Sequence, residues 1–121
     1  MQVIRNHWTR LFVLGLALVA APGLAFALAD YDGTPGRIAE LEVLNGHADR
    51  YLQYHGRIVV TFGERSEQYR WGGTSCSNRT ISEGMVLLLQ RAQDQGATIV
   101  PRYFVGQGGN RCLGGFTQTF P

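Results

Sequence analysis

The stretch Cys76-Ser-Asn-Arg-Thr-Ile-Ser-Glu-Gly-Met-Val-Leu-Leu-Leu-Gln-Arg-Ala-Gln-Asp-Gln-Gly96 decides the fold. Thr80 and Glu83 read as a capping box, the hydroxyl accepting from a free amide while the carboxylate reaches back. Ile81, Met85, Leu88, Leu89 and Ala92 follow at helical spacing, and Arg91, Gln93, Asp94 and Gln95 make the wet side. Gly96 is placed for a left-handed C-terminal turn. The spacing predicts a helix over 81–95, lying across a sheet. The chain's two cysteines, Cys76 and Cys112, bracket this helix. They lack the C-x-x-C spacing of a redox pair, so a structural disulfide is the expectation and two free thiols the alternative.

Upstream, Arg57-Ile-Val-Val-Thr-Phe62 is the clearest strand, with Ile58, Val60 and Phe62 on one face and Val59 and Thr61 on the other. A polar turn over 63–66 returns the chain as a partner strand over 67–71, where Tyr69 and Trp71 share the core face. Residues 50–55 alternate as well, and Gly56 allows a bend or bulge. Residues 37–44 are ambiguous. Ala39, Leu41 and Val43 alternate with Glu40 and Glu42 as in a strand, yet Thr34-Pro35 would also start a helix; the β-branched Ile38 and Val43 favour the strand. Residues 30–36 are turn chemistry, a flexible lead-in. Downstream, residues 98–105 form a strand whose Pro101 marks an edge or bulge. A glycine-rich turn follows over 106–110, and then a last strand over 111–119 in which Gly114-Gly115 signals sharp coiling.

Residues 1–29 read as a signal peptide. Arg5 and Arg10 open it, an apolar run begins at Leu11, Pro22-Gly23 breaks that run, and Ala27-Leu-Ala29 supplies small residues for cleavage before Asp30. An uncleaved membrane anchor is the alternative reading. Cleavage removes Arg5 and Arg10 and leaves nine Arg against nine Asp plus Glu, with no stable membrane span. A neutral chain lacks the excess positive charge that phosphate binding draws on, so nucleic acid is excluded as a partner. Residues 37–121 make one small disulfide-linked domain, expected in the periplasm or secreted, where a disulfide persists.

Motifs for chemistry are absent. His47 and His55 fit no metal spacing, no G-x-S-x-G surrounds Ser66, Ser75, Ser77 or Ser82, and Glu40 and Glu42 read as the solvent face of a strand. No catalytic residue, metal or cofactor is expected. Gly106-Gln-Gly-Gly joins strands and does not open a helix, so it reads as a hairpin turn, not a phosphate cradle. Asn78-Arg-Thr80 fits a glycosylation acceptor. Aromatic rings with polar neighbours suit sugar or peptide surfaces. On that ground Tyr51, Arg102, Tyr103, Phe104, Gln107 and Asn110 are the candidate ligand-binding residues.

The predicted order is three strands, a helix, then two strands: a mainly β (α+β) chain forming a small antiparallel OB-like barrel of five to six strands, its helix between the third and fourth barrel strands. A segment at 51–54 fits such a barrel when two segments form one bent strand. The alternative is a four-stranded antiparallel sheet with two helices. Gly36-Arg-Ile-Ala-Glu-Leu-Glu-Val43, Cys76 before the helix, Val86-Leu-Leu-Leu-Gln-Arg-Ala-Gln-Asp-Gln-Gly96 and the return to Cys112 resemble the exported OB-type domains of AB5-toxin B subunits and their orphan relatives. That resemblance implies a non-enzymatic glycan-binding module assembled as a ring of copies. No sugar-contacting residue of that family carries over, and Pro101 departs from its pattern and argues against ring assembly through that edge. A binding module for carbohydrate or a protein surface is therefore the leading expectation. The alternatives are a periplasmic inhibitor or envelope-assembly protein binding through 106–110, and a small hydrolase.

Overall fold

The computed structural model describes residues 30–44, 52–77 and 79–119. Residues 1–29, read above as a signal peptide, the turn expected at 45–46, His47, Tyr51 and Asn78 lie outside them. The elements in order are β1 (Tyr31–Asp32), β2 (Gly36–Val43), β3 (Gly56–Phe62), β4 (Arg65–Trp71), α1 (Glu83–Asp94), β5 (Thr98–Val105) and β6 (Arg111–Thr119). Strands β2–β3–β4 form an antiparallel meander, β5 pairs with both β2 and β6, and β6 closes the ring against β4. The result is a closed five-stranded OB-like barrel with one helix between its third and fourth strands, and β1 added outside on β5. The expectation of an all-antiparallel barrel needs one correction. β4 and β6 run parallel, meeting at the single pair Arg70 and Cys112.

Residues 37–44 resolve in favour of the strand, but its alternation is broken. The register steps from Ile38 opposite Val60 to Glu40 opposite Val59, leaving Ala39 as the extra residue of a bulge. Ile38 and Leu41 therefore face the core, while Ala39 and Val43 are exposed. The turn chemistry before β2 holds a short strand: Tyr31 and Asp32 pair with Tyr103 and Arg102. Residues 52–55 are not a strand. Leu52 is exposed, and Tyr54 is buried in a segment bonded to the loop after β4, through Thr74 N–H to the Leu52 carbonyl and Ser75 N–H to the Gln53 carbonyl.

The hairpin is as the alternation predicts, tightened to the two-residue loop Gly63-Glu64. Gly63 adopts a φ of 62°, which suits the twist of flanking strands. Tyr69 and Trp71 are core residues beside Ile58, Val60, Ile99, Leu89 and Leu113. Pro101 is not on a bare edge. Its carbonyl accepts from Gly33 N–H at 2.7 Å, on the side where β5 changes partner from β2 to β1. The missing N–H faces that same gap, so the β5–β6 ladder loses nothing. Gly114 is the extra residue of a second bulge, where the register steps from Arg102–Gly115 to Tyr103–Leu113.

The helix begins later than the capping-box reading implies. Ser82, not Thr80, is the N-cap, its Oγ accepting from Met85 N–H at 3.1 Å. The reason lies upstream: the Arg79 backbone is held by Cys76 and Gly72, which keeps the chain out of helical geometry past Thr80. The buried face is narrower than the spacing implies. Leu89 and Ala92 are buried with Met85 and Val86 packed beside them, whereas Leu88 is 53% exposed. Gln93 turns off the wet side, its amide donating to the Ala39 carbonyl. The C-terminus is as expected. Gly96 N–H bonds the Gln93 carbonyl and Ala97 N–H the Ala92 carbonyl, a Schellman closure with Gly96 at φ 62°.

Cys76 and Cys112 form a disulfide, with Cα atoms 5.7 Å apart and 36 residues of sequence separation. It ties the loop that leads into α1 to the start of β6. Replacing both cysteines by alanine is expected to lower unfolding free energy by about 3–4 kcal/mol in the chain-entropy model, read from urea melts. In the same assay Ser82→Ala is expected to cost about 1 kcal/mol, and Thr80→Ala is expected to be close to neutral, because only the first is a cap.

Candidate functional site

The outward face of β2–β3–β4 follows from the strand period. Once Ile58, Val60 and Tyr69 turn inward, Arg57, Val59, Gln68 and Arg70 must turn outward. The register then sets Glu42, Arg57 and Arg70 in one row across three strands, and Glu40, Val59 and Gln68 in the next. Arg57 is the hub. Its Nε donates to Glu42 Oε1 at 3.1 Å, its Nη1 to Gln68 Oε1 at 2.8 Å and its Nη2 to Glu40 Oε2 at 3.2 Å. Tyr54 adds its hydroxyl, donating to Glu42 Oε1 at 2.7 Å. A planar cation thus holds two carboxylates and an amide in fixed positions.

Arg70 stands directly opposite Arg57, an arrangement that like charges disfavour. Its guanidinium lies 4.6 Å over the Tyr54 ring. Nη1 donates to Ser75 Oγ and to Asn110 Oδ1, both at 3.3 Å. Three segments converge here: 52–55, the loop 72–77, and the loop 106–110. Ser75 joins them, its N–H bonding the Gln53 carbonyl and its carbonyl accepting from Gln107 N–H. Asn110 Nδ2 donates to the Gln107 carbonyl at 2.6 Å, and the disulfide lies beside them. Gly73 permits the approach, because a Cβ there would sit 2.5 Å from the Gln53 carbonyl and its φ is 67°.

A second cluster sits where β4 and β6 diverge. Tyr69 donates its hydroxyl to Glu67 Oε2 at 2.7 Å, and Arg111 approaches Glu67 at 3.9 Å. Tyr103 packs between Tyr69 and Tyr31, with ring centroids 5.6 and 5.7 Å away. Burial first, then the Glu67 hydrogen bond and charge, push the Tyr69 phenol well above its ordinary range near 10, with Arg111 pulling weakly the other way.

The candidate residues do not form one site. Gln107 and Asn110 share the loop beside Arg70. Tyr103 instead packs against the core from the second cluster. Arg102, largely exposed, pairs with Asp30 at 3.7 Å, and Phe104 lies under the Arg79 guanidinium at 4.3 Å. Tyr51 lies outside the described residues. What the aromatic criterion missed is the polar row: Arg57, Gln68, Arg70, Glu40 and Glu42, with Tyr54 beneath. The signal was present in the hairpin, whose two-residue turn sets Arg57 opposite Arg70 once Tyr69 and Ile58 are given to the core.

Among the described residues no three His, Cys, Asp or Glu side chains converge as a metal site, and no helix is long and apolar enough to cross a membrane. Ser75 Oγ meets a guanidinium, which cannot take its proton. The arrangement offers hydrogen-bond donors and acceptors on a stiff sheet. No family model, curated protein or solved structure matches the chain.

Alkaline stability tests the second cluster. The fold keeps the Tyr69 proton that an unfolded chain releases near pH 10, so this contribution is complete below that pH and is lost as pH rises above it. Tyr69→Phe is expected to flatten the fall in stability above about pH 10, read from unfolding midpoints at stepped pH.

Proposed function

We propose that the chain is an exported, non-enzymatic binding module that recognises carbohydrate through the outer face of β2–β3–β4 and the adjoining loops. The second and third barrel strands of an OB-like barrel, here β3 and β4, with the loops beside them, are where this architecture binds oligosaccharides and oligonucleotides. The row Glu42–Arg57–Arg70 occupies that surface. It chooses between the two ligands: Glu40 and Glu42 stand among the arginines and repel a phosphate chain, while sugar hydroxyls need acceptors as well as donors.

The observation that carries the reading is the Arg57 hub. Its three bonds orient Gln68 so that the amide Oε1 is engaged and Nε2 is left to donate, and they hold the largely exposed Glu40 as an acceptor. A pre-set pair of this kind binds a hydroxyl without the entropy loss of ordering free side chains. The disulfide suits an oxidising compartment, and the element order is similar to that of the OB-type domains of AB5-toxin B subunits. Ring assembly by strand pairing along β5 meets an obstacle, since β1 already occupies part of that edge.

On a glycan array the protein is expected to enrich one saccharide class. Gln68→Ala and Glu40→Ala are each expected to weaken its affinity several-fold, at about 1 kcal/mol per lost hydrogen bond, by calorimetry. An array without enrichment overturns the proposal, as does a ligand whose affinity neither substitution changes. Affinity for a protein partner that is lost on deleting residues 107–109 would favour the inhibitor or assembly role.

A further inference from the structure

We infer that Arg70 is a carboxylate-recognition position, and that the saccharide bound on this face is an acidic one carrying a hexuronate-type carboxylate. The inference rests on the carbohydrate reading above and narrows it.

The two arginines of the row differ in how their charge is met. Arg57 touches two carboxylates. Arg70 touches none among the described residues; its partners are a hydroxyl, an amide oxygen and an aromatic face. The carboxylate in its own row, Glu42, is already taken by Arg57 and Tyr54. A cation facing a second cation across a strand pair, half-buried and bonded only to neutral groups among the described residues, carries an electrostatic cost that no described carboxylate offsets.

The guanidinium's own geometry shows where an anion would sit. Nε is sealed from solvent without a hydrogen-bond partner, and Nη1 is spent on Ser75 and Asn110. Among the described residues Nη2 has no hydrogen-bond partner, and it is not among the sealed atoms. It is the edge that reaches solvent. Its direction is held by the Tyr54 ring below and by two loops joined through the disulfide. A carboxylate at Nη2 would form a charge-assisted bond to a donor that is already oriented. Glu42 and Glu40 limit how much negative charge the face tolerates, which favours a singly charged carboxylate over a doubly charged phosphate monoester.

The test compares oligogalacturonate with the same oligomer methyl-esterified, so that only the carboxylate charge differs. Calorimetry on the unaltered protein is expected to show the acid form binding at least tenfold more tightly, with the difference shrinking as salt is raised. Arg70→Gln, checked for an intact fold by its melting curve, is expected to bring the two forms to the same weak affinity. Equal affinity of acid and ester for the unaltered protein overturns the role of Arg70 and leaves the carbohydrate reading standing. Binding of neither form overturns the inference, and the glycan array then decides the carbohydrate reading separately. Oligo-aspartate binding as tightly as the acid sugar also overturns it, in favour of an acidic protein surface. Because the ester comparison uses the native chain, loss of folding in Arg70→Gln leaves the test intact.

Discussion

The barrel closes through very little hydrogen bonding. Strands β4 and β6 share one register pair, Arg70 with Cys112, and β2 and β5 share two, whereas the other barrel junctions are long antiparallel ladders. Parallel pairing is the weaker kind even when it is extended. What keeps this seam shut is the covalent link from Cys112 to Cys76, in the loop that leaves β4.

The same seam positions the polar face. Cys112 and Arg70 lie side by side on neighbouring strands, so the staple that closes the barrel also fixes the backbone carrying Arg70. Asn110 precedes Cys112 and Ser75 precedes Cys76, and both touch the Arg70 guanidinium. Stability and the proposed recognition thus share one set of residues. The core side of β4 works likewise: Tyr69 is buried, and its hydroxyl engages Glu67 at the mouth of the divergence between β4 and β6. Gly33 is accommodated there because a Cβ would strike the Tyr69 hydroxyl.

Two bulges shape the sheet that does this. Ala39 shifts β2 by one residue and sends Glu40 and Glu42 to the outer face with Arg57. Gly114 does the same for β6 where β5 is also strapped by β1. Each supplies local twist, which a sheet of so few strands needs to close on itself.

Local pattern determined much of this protein. The hairpin, the inward set of Ile58, Val60, Tyr69 and Trp71, the Gly96 helix stop, the disulfide and the OB-like order of elements all follow from period, turn chemistry and a pair of cysteines, because each depends on neighbours in sequence. Tertiary structure decided the rest. The helix start moved to Ser82 because Arg79 is held from the other side of a loop. Leu88 lies outside the core because the sheet meets the helix along Met85, Leu89 and Ala92, and the Ala39 bulge overrode a clean alternation. Aromatic content pointed to Tyr103 and Phe104 as site residues, yet one serves packing and the other lies under Arg79. The polar row went unseen for a physical reason. Its members are ordinary solvent-face residues on three strands, and their charges acquire meaning only when register puts Arg57 between Glu42 and Arg70.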